Sequence, residues 1–192
     1  SPPSDYGPLF ASPPINVVKV GFVGVGGMGS VHVRNFLNID GVEIKAVCDI
    51  VEEKVARVQK WVEEAGFPRP EGYSAGPWDF KRMCEEEDLD LVFTATPWEW
   101  HVPVCVTAMK NGKHAATEVP AAVSLEECFE LVETAEKYKK HCVMMENCCY
   151  DRVELMSLNM VRRGLLSEIV HAAGGYLHDL RAVKFSNVGE GL

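Results

Sequence analysis

One turn constrains this chain more than any other feature. Gly24-Val25-Gly26-Gly27-Met28-Gly29 follows the pattern G-x-G-x-x-G. The pattern alone is common, so its neighbours decide its meaning. Val17–Val25 is a short apolar run that fits a strand buried on both faces. Gly26–Leu37 reads as a helix, Val42–Cys48 as a second strand, and Asp49 ends that strand 20 positions after Gly29. In a strand–turn–helix unit of this spacing, Gly24 permits the tight turn and Gly26 lets the main chain approach a ligand. Gly29 lets the helix close onto the strand. The helix N-terminus presents free N–H groups and a partial positive charge, which is a site for an anion.

The rest of the chain repeats this unit. Val51–Ala65 has helical spacing and ends at Gly66 and Pro68. Phe67–Trp78 reads as a loop, and a short acidic helix follows near Asp79–Glu87. Leu89–Ala95 is a third strand, Trp100–Asn111 a helix stopped by Gly112, Lys113–Glu118 a fourth strand and Cys142–Glu146 a fifth. Ser124-Leu-Glu-Glu127 is a capping box opening a helix to about Lys140. A second box, Asp151-Arg-Val-Glu154, opens a helix that Gly164 stops, and Ile169–Arg181 reads as a long strand. Strands alternating with helices predict an α/β fold, a doubly wound parallel (Rossmann) sheet, followed by the start of a second α+β domain. Residues 1–16, with five prolines in the first fourteen, form an extended arm; 17–149 are the sheet domain and 150–192 begin the second domain.

Composition restricts what the turn holds. Lysine and arginine number 19 against 28 acidic residues, a formal net charge of −9. That balance speaks against nucleic acid and anionic membranes as partners. No apolar run approaches the ~20 residues of a membrane-spanning helix. An anionic ligand must therefore be held by local main-chain dipoles. A dinucleotide fits, with its diphosphate on the helix N-terminus and its adenosine ribose hydroxyls on Asp49. The Asp49 charge repels a 2′-phosphate, so NAD is favoured over NADP. Seven cysteines, an odd number with no C-x-x-C, read as small buried hydrophobes in a reducing compartment and yield no zinc site.

Ligands bind at the carboxyl ends of parallel strands, so three more loops are drawn to this end of the sheet. Thr94-Ala-Thr-Pro-Trp-Glu-Trp-His101 offers Trp98 and Trp100 to flank a ring, with Glu99 between them, and His101 to reach a ribose or the reacting carbon. Tryptophans that only pack the loop are the plainer alternative. Glu118-Val119-Pro120 ends the fourth strand, and Glu146-Asn147 the fifth, where the Asn147 amide is placed to bond a ribose or nicotinamide.

The fingerprint, Asp49, the Ala95-Thr-Pro97 loop and the E-x-P at the fourth strand together resemble the Gfo/Idh/MocA oxidoreductases. More narrowly, Ala95-Thr-Pro-Trp-Glu-Trp-His101, Glu118-Val-Pro-Ala-Ala122, Met145-Glu-Asn147 and Tyr176-x-His178-x-x-Arg181 resemble glycoside hydrolase family 109, NAD-dependent glycosidases typified by α-N-acetylgalactosaminidase. The resemblance implies that Gly27 and Met28 touch the diphosphate region and Asp49 the ribose. It implies that Trp98, Glu99, Trp100, His101, Glu118, Val119 and Asn147 line the cofactor, and that Tyr176 contacts the sugar.

It further implies a redox cycle: transient oxidation at sugar C3, removal of the C2 proton, loss of the leaving group from C1, addition of water, and return of the hydride. The net reaction is hydrolysis with no consumption of NAD. Ordinary dehydrogenases of the superfamily resemble one another in a lysine at the middle of E-x-P, where this chain has Val119, which cannot exchange a proton. The glutamates of 126–136 read as a solvated helix face rather than as paired catalytic acids. The family's Tyr-Pro-Thr-His segment, with its base, is expected beyond Leu192, leaving Tyr150 and His178 as weak local candidates and the 192 residues inactive alone. An arginine that relatives often carry beside the fingerprint methionine is missing. A sugar dehydrogenase with another base, or a non-catalytic NAD-binding module, are the competing expectations. A small glycoside substrate and homo-oligomers follow by resemblance. Cysteine usage points to the cytoplasm, with export of the folded protein to the periplasm as the alternative.

Overall fold

The computed structural model describes residues 11–146, 148–175, 177, 179 and 181. The chain divides into two compact units, Ser1–Met145 and Glu146–Leu192.

In the first unit, six strands form one parallel sheet: β1 (Val18–Val23), β2 (Val42–Cys48), β3 (Glu71–Tyr73), β4 (Leu91–Thr94), β5 (His114–Thr117) and β6 (Cys142–Met144). Their spatial order is β3-β2-β1-β4-β5-β6. The order reverses between β1 and β4, so the chain winds out in both directions from the centre and opens a crevice beyond the carboxyl ends of these two strands. Helices α1 (Gly27–Phe36) and α2 (Glu52–Glu64) belong to one half; α3 (Asp79–Glu86), α4 (His101–Lys110) and α5 (Leu125–Tyr138) to the other.

The sheet is covered on both faces, which is why its strands read as apolar runs. Successive residues point to opposite sides. Val92 and Ala115 enter a core with Met83, Val104 and Met109 beneath α3 and α4. Phe93 and Ala116 enter the other, with Val33, Val55, Val58 and Val62 of α1 and α2. Phe22 and Phe93 meet in the second core with ring centroids 5.4 Å apart, and truncating either to alanine costs about 3–5 kcal/mol. Val55, Val58 and Val62 are the buried stripe of α2, whose first turn carries Glu52 and Glu53 where the helix dipole favours negative charge.

Five details differ from the sequence reading. The loop expected over 67–78 contains β3, an edge strand of three residues of which only Tyr73 is buried. So short a strand between prolines has no apolar pattern to announce it. Trp100, expected to open the helix, instead ends a 3-10 turn over Trp98–Trp100 ahead of α4.

The box at Ser124 closes one residue further out than the usual form. Ser124 Oγ accepts from Glu127 N at 3.2 Å, while Glu127 Oε2 accepts from Val123 N at 2.8 Å. The box at Asp151 does not close: Asp151 precedes α6 (Arg152–Arg162) but its side chain makes no capping bond, and the first turn is exposed.

In the second unit the expected strand over 169–181 does not form among the described residues. Val170 is 90% exposed there, and an unpaired strand leaves its main chain unsatisfied. The described part of this unit is therefore α6, irregular chain and a helical residue at Arg181, with no strand of the expected α+β domain.

Candidate functional site: the crevice at the carboxyl edge of the sheet

The glycine turn is built as the spacing requires. Gly24 sits at φ +79°, and a Cβ there would lie 2.9 Å from the Ala95 main chain. A Cβ on Gly29 would fall 2.0 Å from Gly24 O, so only glycine lets α1 begin this close to β1. On the other side of the turn there is room. A Cβ on Gly27 would meet nothing within 4 Å, and one on Gly26 would meet only Lys54 Nζ at 3.7 Å. No side chain caps the α1 N-terminus. Open space over bare main chain at a positive helix end is what a dinucleotide diphosphate needs, so the turn fits the cofactor that the sequence implies. Met28 stands beside it, 45% exposed.

The turn is also fastened from behind. Val25 O receives two donors, Ser30 Oγ at 2.9 Å and Arg57 Nη2 at 2.9 Å, and Arg57 also reaches Ser30 Oγ at 3.0 Å. Asp49 is buried, with Oδ2 accepting from Val25 N at 2.9 Å and Oδ1 from Val51 N at 3.0 Å. Each oxygen keeps a second lone pair for a ribose hydroxyl. Asp49 therefore fixes the turn as well as standing where the ribose is expected.

The loop after β4 separates its aromatic residues. Trp98 is 62% exposed and Glu99 is exposed beside it. Trp100 instead turns into a cluster with Trp78, at 4.8 Å and near-perpendicular, and with Phe80. The packing alternative thus describes Trp100, while Trp98 remains open to a ligand. His101 is 1% exposed. Its Nδ1 meets Pro120 O at 2.7 Å and its Nε2 meets Thr96 O at 2.9 Å. In this arrangement the buried ring lies between the two loops, with its nitrogens facing a carbonyl oxygen from each.

Glu118 is buried at the end of β5, where its carboxylate hydrogen-bonds His32 Nε2 and accepts from Val119 N at 3.2 Å. Val119 is half-buried. Asn147, Tyr176 and His178 lie outside the described residues. Tyr150, in the second unit, is 69% exposed.

Sequence reasoning missed His32, Ser30, Arg57 and Lys54. Their signal is faint: polar residues three or four positions from an anchor on the inward face of α1 or α2. Among the described residues no group of three or more His, Cys, Asp or Glu could hold a metal ion, and no helix is long and apolar enough to cross a membrane.

A six-stranded sheet in the order 3-2-1-4-5-6, with a glycine turn after its first strand and an acid after its second, defines a Rossmann-type dinucleotide-binding domain. Residues 18–146 match the family described as oxidoreductase, NAD-binding Rossmann fold, and the chain belongs to this Gfo/Idh/MocA family. Residues 150–191 match the C-terminal domain of glycosyl hydrolase 109.

An α-N-acetylgalactosaminidase of Bacteroides fragilis is 49% identical over 181 residues, 94% of this chain and 42% of that protein. A glycosyl hydrolase family 109 protein of Shewanella pealeana is 46% identical over 88% of this chain and 37% of its own length. The chain thus spans about two-fifths of the curated relatives it matches. Among solved structures, scyllo-inositol dehydrogenase from Lactobacillus casei with bound NAD(H) and scyllo-inositol shares the fold. Its TM-score is 0.70 at 21% identity, over 79% of this chain and 43% of that one.

Proposed function

We propose that the chain is the NAD-holding portion of an NAD-dependent glycosidase of the family 109 type, acting on terminal N-acetylgalactosamine-type glycosides. The observation that carries this reading is Val119. The crevice has a fingerprint turn, an acid for the ribose and an exposed tryptophan, yet the place after Glu118 where a dehydrogenase of the superfamily keeps its lysine holds a side chain without a proton to give or take. The relatives at 49% and 46% identity bear glycosidase names, which supports the same reading.

Bound NAD supplies a reversible hydride acceptor to the sugar. The chain's own residues hold it ready. The turn over Gly26–Gly29 would receive the diphosphate on its main-chain N–H groups, and Asp49 would receive the ribose. His32 holds Glu118 at the edge of the crevice, and the buried His101 ring lies between the Thr96 and Pro120 carbonyl oxygens, a neutral ring donating to one of the two. Trp98 offers an open ring face.

The test is product analysis with the whole protein, NAD and nitrophenyl N-acetylgalactosaminides of both anomers. Nitrophenol should appear without stoichiometric NADH. Steady accumulation of NADH without release of nitrophenol would instead identify a sugar dehydrogenase.

A further inference from the structure

Lys54 lies in the first turn of α2 with its ammonium over the glycine turn. Its Nζ is the single atom that a Cβ on Gly26 would meet, at 3.7 Å. It is partly buried, yet among the described residues its ammonium has no hydrogen-bond or ion-pair partner. The sequence denies it one, since positions 50, 51, 57 and 58, three and four residues away, are Ile50, Val51, Arg57 and Val58. The other cation on this face of α2 is committed: Arg57 donates to Val25 O and Ser30 Oγ behind the turn. Lys60, further along the helix, is paired with Glu64. An unpaired ammonium is therefore kept beside the glycine at which the main chain must approach a diphosphate. The chain is acidic overall and offers no general positive field there.

We infer that Lys54 is a phosphate-contacting residue of the dinucleotide site, closing over the diphosphate from the α2 side while the α1 N-terminus receives it from the other. The inference rests on the reading of the crevice as a cofactor site and adds to it a residue outside the fingerprint. It also supplies the cation whose absence beside Met28 left the diphosphate to main-chain groups alone. Lysine suits the task, because a flexible point charge can follow either phosphate without a fixed geometry.

The experiment compares the whole chain with K54M, K54R and K60M by calorimetric titration of NAD+, ADP-ribose and adenosine. K54M should weaken NAD+ and ADP-ribose by about tenfold or more, the size of one charged hydrogen bond. The loss should shrink as salt is raised, because screening weakens the contribution of the ammonium. Adenosine affinity and the urea midpoint should stay unchanged, K54R should recover most of the binding, and K60M should match the wild type. K54M binding NAD+ as the wild type does, or losing adenosine in equal proportion, overturns the assignment. A wild-type chain that binds no NAD+ sinks the cofactor reading, and this one with it.

Discussion

His32, on the helix that follows the glycine turn, hydrogen-bonds the carboxylate of Glu118 at the end of β5. The pair spans the crevice side of the sheet, with the His32 ring against Phe93 of β4 at a centroid distance of 4.6 Å. It joins α1, which opens at the glycine turn, to the loop that carries Val119. Replacing His32 with alanine leaves a buried carboxylate without its partner and should lower stability by about 1–3 kcal/mol. NAD+ affinity should fall with it, because Glu118 is then free to leave the crevice edge. His32→Gln, which can still donate, should recover most of both. Urea unfolding and NAD+ titration on the same samples check this, and an H32A protein as stable as the wild type would show that the contact contributes nothing.

Gly27 and Gly29 are two residues apart and should respond in opposite ways to alanine. At Gly29 the new Cβ would fall on Gly24 O, so the main chain must move, at a cost of about 3 kcal/mol or more. At Gly27 it would meet nothing within 4 Å. Gly27→Ala should therefore leave the melting temperature unchanged or raised, as alanine is the better helix former by about 1 kcal/mol. It should still weaken NAD+ binding, because the methyl stands where the diphosphate approaches.

Acid should destabilise the chain through His114. Burial holds its pKa below the ordinary 6.5, and the nearby charges of Lys140 and His141 act in the same direction. The ring accepts from His141 N at Nδ1, at 2.9 Å, so the neutral form with its proton on Nε2 facing Ser12 Oγ is the one that fits. The folded chain takes up this proton less readily than the unfolded chain. Stability from this site is therefore complete above about pH 6.5 and declines as pH falls toward the lower folded value. Urea midpoints at pH 7.5 and 5.5 should differ by less in His114→Gln than in the wild type.

Thiol chemistry should divide the cysteines by burial. Cys128, Cys148 and Cys149 are exposed. Cys48 and Cys84 are buried, and burial pushes each thiol up to about 12, with Asp79 and Asp49 adding to the effect at Cys48. A thiolate-seeking reagent at pH 8 should label the three exposed residues rapidly and leave Cys48, Cys84 and Cys105 untouched until denaturant is added. Peptide mapping after a short pulse gives the answer, and rapid labelling of Cys48 would contradict the packing of β2.

The glycine turn, Asp49 and the central strands were legible because each depends on residue type at a fixed spacing. Only glycine tolerates the Gly24 and Gly29 positions, and strands buried on both faces must be apolar. The edge strand at Glu71–Tyr73 was not legible, since one buried tyrosine sets no period. Trp98 and Trp100 look alike in the sequence, and only the 3-10 turn sends one to solvent and the other into the Trp78 cluster. His32, Arg57 and Lys54 act through the approach of one helix to a neighbouring loop, a relation in space that spacing along the chain does not encode. Among the described residues of 169–181 no strand forms, because alternation alone makes no strand without a neighbour to pair with.

The central claim is that hydrolysis proceeds through oxidation and loss of the C2 proton, with the crevice of this chain holding the NAD. Running the reaction of the whole protein in deuterated water on a nitrophenyl N-acetylgalactosaminide tests it most directly. Deuterium should appear at C2 of the released sugar, and none should enter free sugar incubated without enzyme. Release of sugar whose C2 proton is untouched would contradict the account.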